Sequence, residues 1–161
     1  RRLMKENNIK IETYKKEYSN AFDTLNRAWI VRYFGESTIE PFETEILHHP
    51  DETIISRGGE VFFATENNQV LGCVALIKHS SEEYEISKLA VDPIAQGRGI
   101  ANLLFDAVLN HAHSVRAKKL IIESNTKLNA AIGLYHKYNF KKVDDFTPHY
   151  QRVNVKFTKE I

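Results

Sequence analysis

The chain has 161 residues, 42% hydrophobic and 27% charged, the balance of an ordinary folded domain with one sizeable core. Its 22 lysines and arginines offset 21 aspartates and glutamates, which excludes a basic surface for gripping nucleic acid through its phosphates. No run approaches the ~20 apolar residues of a membrane helix, no signal-peptide pattern opens the chain, and the lone Cys73 cannot form an internal disulfide, so a cytoplasmic protein is expected.

Arg1-Arg2-Leu3 precede the only methionine, Met4, and read as tag or processing remnants, with residues 1–8 outside the fold proper. Residues 9–15 alternate apolar and polar side chains, the period of a strand. Ser19 is suited to start a helix running to about residue 33, with Phe22, Leu25, Trp29, Ile30 and Tyr33 on one stripe. Pro41 opens a second helix over 42–49, closed by Pro50. Gly58-Gly59 makes a turn, and 60–66 and 70–78 are strands joined by the hairpin composition Asn67-Asn68-Gln69. A further strand covers 84–91. Ile100, Leu103, Leu104, Ala107, Val108, Ala112 and Val115 then recur at helical spacing over 99–116. A short buried strand at 119–123, a helix at 129–138 ending on Asn139, and late strands at 140–143 and 152–157 complete the chain. This order predicts an α/β (α+β) fold, a mixed and mostly antiparallel sheet with helices on both faces, in a single domain.

The stretch from 89 to 105, LAVDPIAQGRGIANLLF, raises a question of chemistry. Gly97 and Gly99 lie between a strand end and a helix start, where free N–H groups and the positive end of the helix dipole suit a phosphate. A P-loop string is absent. The dinucleotide fingerprint G-x-G-x-x-G fails at Asn102, and the strand ends too far before Gly97, although Glu123 could have posed as its ribose-binding acid. The segment Gln96-Gly97-Arg98-Gly99-Ile100-Ala101 fits [QR]-x-x-G-x-[GA] at every position. It resembles the acetyl-CoA loop of the GNAT superfamily of N-acetyltransferases. A second segment, Asn129 to Phe140, resembles that family's N-x-x-A-x-x-L-Y-x-x-x-G-F motif, with Ala131 one place off and Asn139 for the glycine. Together the two motifs span about residues 84–143, the expected cofactor-binding and catalytic core. Alternation along 84–91 slips near Ser87-Lys88, as at a β-bulge; otherwise Lys88 lies on an exposed edge.

The resemblance implies an acetyl-CoA-dependent enzyme of a bacterial branch, acetylating a primary amine of a small-molecule or amino-acid-like acceptor. Acetylation of a protein lysine or N-terminus, or non-catalytic coenzyme A binding, stand as alternatives. It further implies that Leu89, Ala90, Val91, Gln96, Gly97, Arg98, Gly99, Ile100, Ala101 and Asn129 contact acetyl-CoA, with the Leu89 N–H on the thioester carbonyl. Asn129 could equally be a helix cap. Tyr135 takes the general-acid position beside the sulfur, where a phenol is protonated at neutral pH. Its bland reading is a core aromatic. Glu85 aligns with the glutamate some members use as general base; ordered water is the alternative. Substrate choice falls to residues 19–50 and 144–152, whose acids Glu43, Glu45, Asp144 and Asp145 could attract a cation or simply face solvent. No metal is expected: His111 and His113 lie roughly 200° apart around a helix, and His48 and His49 diverge. A homodimer is expected through an exposed late strand at 153–157.

Overall fold

The computed structural model describes residues 8–161, so Arg1–Leu3 and their reading as remnants lie outside it. Twelve main elements follow in order: β1 (Lys10–Thr13), α1 (Ser19–Phe34), α2 (Pro41–His48), α3 (Pro50–Thr53), β2 (Glu60–Glu66), β3 (Gln69–Lys78), β4 (Glu83–Val91), α4 (Ile100–Ser114), β5 (Lys119–Ser124), α5 (Asn129–Lys137), β6 (Lys141–Val143) and β7 (Val155–Glu160). The strands form one sheet in the order β1-β2-β3-β4-β5-β7-β6, and only the β4–β5 pair is parallel. The mixed, mostly antiparallel sheet expected from the sequence is therefore present.

Each face of the sheet carries its own core. Along β2, Phe62 and Phe63 point to opposite sides, as neighbours on a strand must. Phe62 joins Leu104, Phe105 and Val108 of α4 and Leu134 of α5; Phe63 joins Phe22 and Ile30 of α1 and Leu47 of α2. Each such side chain contributes about 1.5–3 kcal/mol on burial, so the two layers hold the sheet from both sides. Cys73 is a buried core residue, and burial pushes its thiol up to about 12. The start of α4 is pressed onto the sheet at Gly72, where an added Cβ would lie 3.0 Å from Ile100 Cγ2 and 3.1 Å from the Ala90 carbonyl. That contact fixes where the glycine stretch before α4 sits.

Three local readings are corrected. Pro50 does not end helical structure: the chain breaks at His49 (φ −131°), and Pro50 starts a further turn, α3, at the first helical position that suits proline. The last strand begins at Val155, because Arg152 is drawn away from the sheet to Glu43. Finally, β7 lies between β5 and β6, with Lys156 and Phe157 paired on both sides, so the late segment 153–157 is not the exposed edge strand expected for a subunit contact.

The alternation slip at Ser87-Lys88 is a bulge. Cys73 pairs with Ala90 and Ala75 with Ser87, which leaves Lys88 and Leu89 opposite Val74, and Lys88 adopts φ +58°. On its other side β4 pairs with β5 only from Glu83↔Lys119 to Glu85↔Ile121. Beyond that point the strands part, and a wedge opens between residues 86–91 and 122–125.

Candidate active site

Two connected spaces occupy this wedge. The larger, of about 1000 Å³, lies between the ends of β4, α4 and α5. Leu89, Ala90 and Val91 line it from β4; Gln96, Gly97, Gly99, Ile100 and Ala101 from the loop and first turn of α4; and Asn129 from α5. Asp92 shapes the entry to the loop by accepting the Ile94 N–H at 3.1 Å. Gly97 (φ +81°) and Gly99 (φ +76°) take the left-handed conformation that glycine adopts freely, and a Cβ on either would meet no protein atom within 4 Å. The first bond of the helix runs from Leu103 N–H to the Gly99 carbonyl, so the preceding N–H groups have no intrahelical acceptor. Lys127 and Lys137 also line the space, and no acidic residue does among the described residues. An open backbone, helix-end donors and two cations suit an anionic ligand such as a pyrophosphate.

Two expected contributors behave differently. The Arg98 side chain is not part of the lining: its guanidinium forms a bidentate pair with Glu66, at 3.0 and 2.7 Å. Asn129 is the first residue of α5 while Leu128 occupies the cap position, and no side-chain cap bond is made there. Its alternative role as a helix cap is thereby overturned.

The smaller space, about 80 Å³, lies deeper in the wedge and shares Trp29, Leu89, Leu128 and Ala131 with the larger one. Tyr135 reaches it from α5, with its ring held 5.9 Å from Phe105 and 5.5 Å from Phe157. Burial raises its phenol to about 12, against the opposing pull of Ser124, so it is fully protonated at neutral pH. Tyr135 is thus both a core aromatic and a pocket residue.

Glu123, at the end of β5, lines the same pocket with a side chain only 1% exposed. It accepts the His149 backbone N–H at 3.0 Å and contacts the His149 ring at Nδ1. Glu85 is buried but does not line the pocket; it is hydrogen-bonded to His79 Nε2 at 2.7 Å. That bond raises the pKa of His79, and the His79 ring stacks on His149 at 6.1 Å. Ligand atoms of Glu85, Glu123 and His149 all lie within 4.8 Å of one another, so they are also the described residues able to share a cation. The sequence did not reveal this group, because its members lie far apart in the chain and the histidine pairs compared there, His48–His49 and His111–His113, are close neighbours.

Opposite stands a cluster that the sequence did not reveal. Glu43 is fully buried, and its carboxylate accepts Arg152 Nη1 at 2.7 Å, Arg152 Nη2, and Lys88 Nζ at 2.5 Å. It is neither a solvated acid nor an available attractor of cations. Lys88 is likewise no exposed edge residue: the bulge turns it inward, where Nζ lies 4.5 Å from the Tyr150 ring centroid. Tyr150 in turn stacks on Phe42.

The site is a donor-lined cleft beside a small pocket that holds Tyr135 and Glu123, built where a parallel strand pair splays. Residues 57–142 of the 161 match the family described as the acetyltransferase (GNAT) domain, and the chain belongs to that family. A 61-residue stretch is 38% identical to the N-alpha-acetyltransferase RimI of Mycobacterium tuberculosis, covering 38% of this chain and only 37% of that relative's length. An acetyltransferase of the GNAT family from Staphylococcus aureus Mu50 shares the fold with TM-score 0.85 and 18% identity, over 94% of this chain and 98% of that one. A GNAT family acetyltransferase from Elizabethkingia anophelis with acetyl-CoA bound superposes with TM-score 0.64 and 21% identity, over 97% of this chain and 100% of that one.

Proposed function

We propose that this protein is an acetyl-CoA-dependent N-acetyltransferase that modifies a primary amine of a small-molecule or amino-acid-like acceptor in the bacterial cytoplasm. The observation that carries the reading is the junction at Leu89, where an anion-suited cleft meets a pocket holding a protonated phenol and a buried carboxylate. Bound acetyl-CoA supplies the acetyl thioester. The main chain from Gln96 to Ala101, Arg98 included, holds the pyrophosphate; Ala90, Val91 and Asn129 line the path of the arm, and the Leu89 N–H polarises the thioester carbonyl. Glu123 receives the proton of the incoming ammonium, with His149 keeping the carboxylate in place and Glu85 with His79 standing behind it. Tyr135 donates its hydroxyl proton to the departing thiolate.

Glu123 displaces Glu85 as the base in this reading, because it faces the pocket while Glu85 does not. Thiol release with a panel of amines is the direct test. A protein with acetyl-CoA affinity but no amine-dependent thiol release would be a binding module instead. The match to RimI favours a second reading, acetylation of a protein N-terminus. Peptides acetylated faster than every free amine would establish it.

A further inference from the structure

The acceptor pocket keeps its buried charges apart, cations on one side and a carboxylate on the other. Two cations, Lys88 and Arg152, share the single carboxylate of Glu43, and the three side chains are 3%, 7% and 0% exposed. Buried Glu85 acts on Lys88 only through space, being hydrogen-bonded to His79. Among the described residues Glu43 is thus the one carboxylate bonded to either cation, and a charge pair shared three ways leaves each cation incompletely paired. Arg152 spends a further hydrogen bond on the Thr38 carbonyl at 2.8 Å, and the Tyr150 ring lies near both cations, at 4.5 Å from Lys88 Nζ and 5.4 Å from Arg152 Cζ. A ring face offsets only part of a full charge. Lys88 and Arg152 are among the residues that line the pocket, and Glu123 lines it too. The pocket therefore has a positive pole and a negative pole within about 80 Å³, room for an amine, one carbon and a carboxylate. Lys88 reaches its place only by holding a left-handed backbone, and such local strain is characteristic of functional positions.

We infer that the acceptor is a free α-amino acid, bound with its carboxylate against Lys88 and Arg152 and its amine against Glu123. This rests on the acetyltransferase reading above and narrows its acceptor. A peptide N-terminus places a neutral carbonyl where the carboxylate would sit and so forgoes the ion pair with the two cations. Burial depresses the pKa of Lys88, and an anion in the pocket opposes that depression, so bound acceptor and charged lysine stabilise one another.

The test compares each of the twenty amino acids with its own carboxamide, its decarboxylated amine and a short peptide bearing it at the N-terminus. Thiol release is followed at saturating acetyl-CoA, with acetyl-CoA affinity measured separately by calorimetry. The carboxamide has the more easily deprotonated amine, so intrinsic reactivity favours the amide, and the opposite preference reports the pocket. At least one free acid is expected to exceed its carboxamide by about tenfold or more in kcat/KM, the scale of one charge-assisted hydrogen bond. In Lys88→Met, which keeps the Arg152–Glu43 pair, KM for that acid should rise about tenfold, acetyl-CoA affinity should hold, and the preference for acid over amide should collapse. Lys88→Arg should restore part of it. Amides, amines or peptides used as well as the acids, or a Lys88→Met protein with unchanged KM and preference, would overturn the inference. Acetyl-CoA binding with no free acid acetylated would overturn it too, leaving the cofactor site intact. Failure to bind acetyl-CoA at all would instead remove the reading on which it rests.

Discussion

Tyr135 joins two roles in one side chain, a ring in the core and a hydroxyl in the pocket, and the substitution Tyr135→Phe separates them. The ring contacts to Phe105 and Phe157 persist, so stability should change by no more than the ~1 kcal/mol of one hydrogen bond. Acetyl-CoA affinity should hold within a few-fold, while kcat falls by about 10²–10⁴, the range of general-acid catalysis. Wild-type turnover in the phenylalanine variant would take Tyr135 out of the chemistry. Glu12 gives a prediction away from the site. It accepts hydrogen bonds from Thr65 at 2.6 Å, Lys15 at 3.0 Å and Tyr18 at 2.8 Å, which lower its pKa to about 2. A carboxylate depressed on folding stabilises above its unfolded pKa and loses that stabilisation as pH falls through the folded value. Acid unfolding should thus include a contribution from Glu12 between about pH 4.5 and 2, and Glu12→Gln should flatten the stability curve there. Chemical denaturation at several pH values measures this, and a parallel, merely displaced curve for the variant would refute it.

Among the elements, the glycine loop makes the sharpest prediction. Asparagine tolerates positive φ better than other non-glycine residues, and a side chain at Gly99 meets no protein atom within 4 Å. Gly99→Asn should therefore leave the thermal midpoint nearly unchanged, yet weaken acetyl-CoA binding more than about tenfold because the side chain occupies ligand space. Unaltered affinity by calorimetry would mean that the loop does not hold the cofactor. This loop was legible in the sequence because its function lies in main-chain geometry, which glycine spacing reports directly. The bulge was legible as a break in alternation, and the Asn67-Asn68 hairpin as two residues able to take φ +50° and +65°. The Glu43–Lys88–Arg152 cluster was not, since its members come from α2, β4 and the segment before β7, and a charged residue in isolation reads as solvated. The same reason hid Glu123: its position at a strand end acquires meaning only once β4 and β5 separate. Arg98 misled in the other direction, with its cation taken by Glu66 on a neighbouring strand.

On the scale of the whole molecule, the edges of the sheet decide how copies could associate. They are β1 and β6, and β6 is three residues long with Lys141 and Lys142 both exposed. Short, lysine-bearing edges resist strand-to-strand pairing. A dimer joined strand to strand at these edges is accordingly not expected, and any dimer seen by sedimentation velocity at micromolar concentration should survive charge reversal of Lys142; a dimer abolished by that change would contradict this. The parting of β4 from β5 after Glu85↔Ile121 has a further consequence, in the isotope-exchange behaviour of the backbone. Ladder bonds protect amides, and residues 86–91 have a ladder on only one flank, while β3 beside them is paired on both. In deuterated water the centre of the sheet should divide into a slow half around β3 and a β4 segment that labels early. A ligand lying in the gap would take up the unused donors, so labelling of 86–91 should slow on adding acetyl-CoA while β2 and β3 keep their rates. The least protected stretch of the central strands would then be the one whose exchange clock is set by occupancy, and not by unfolding.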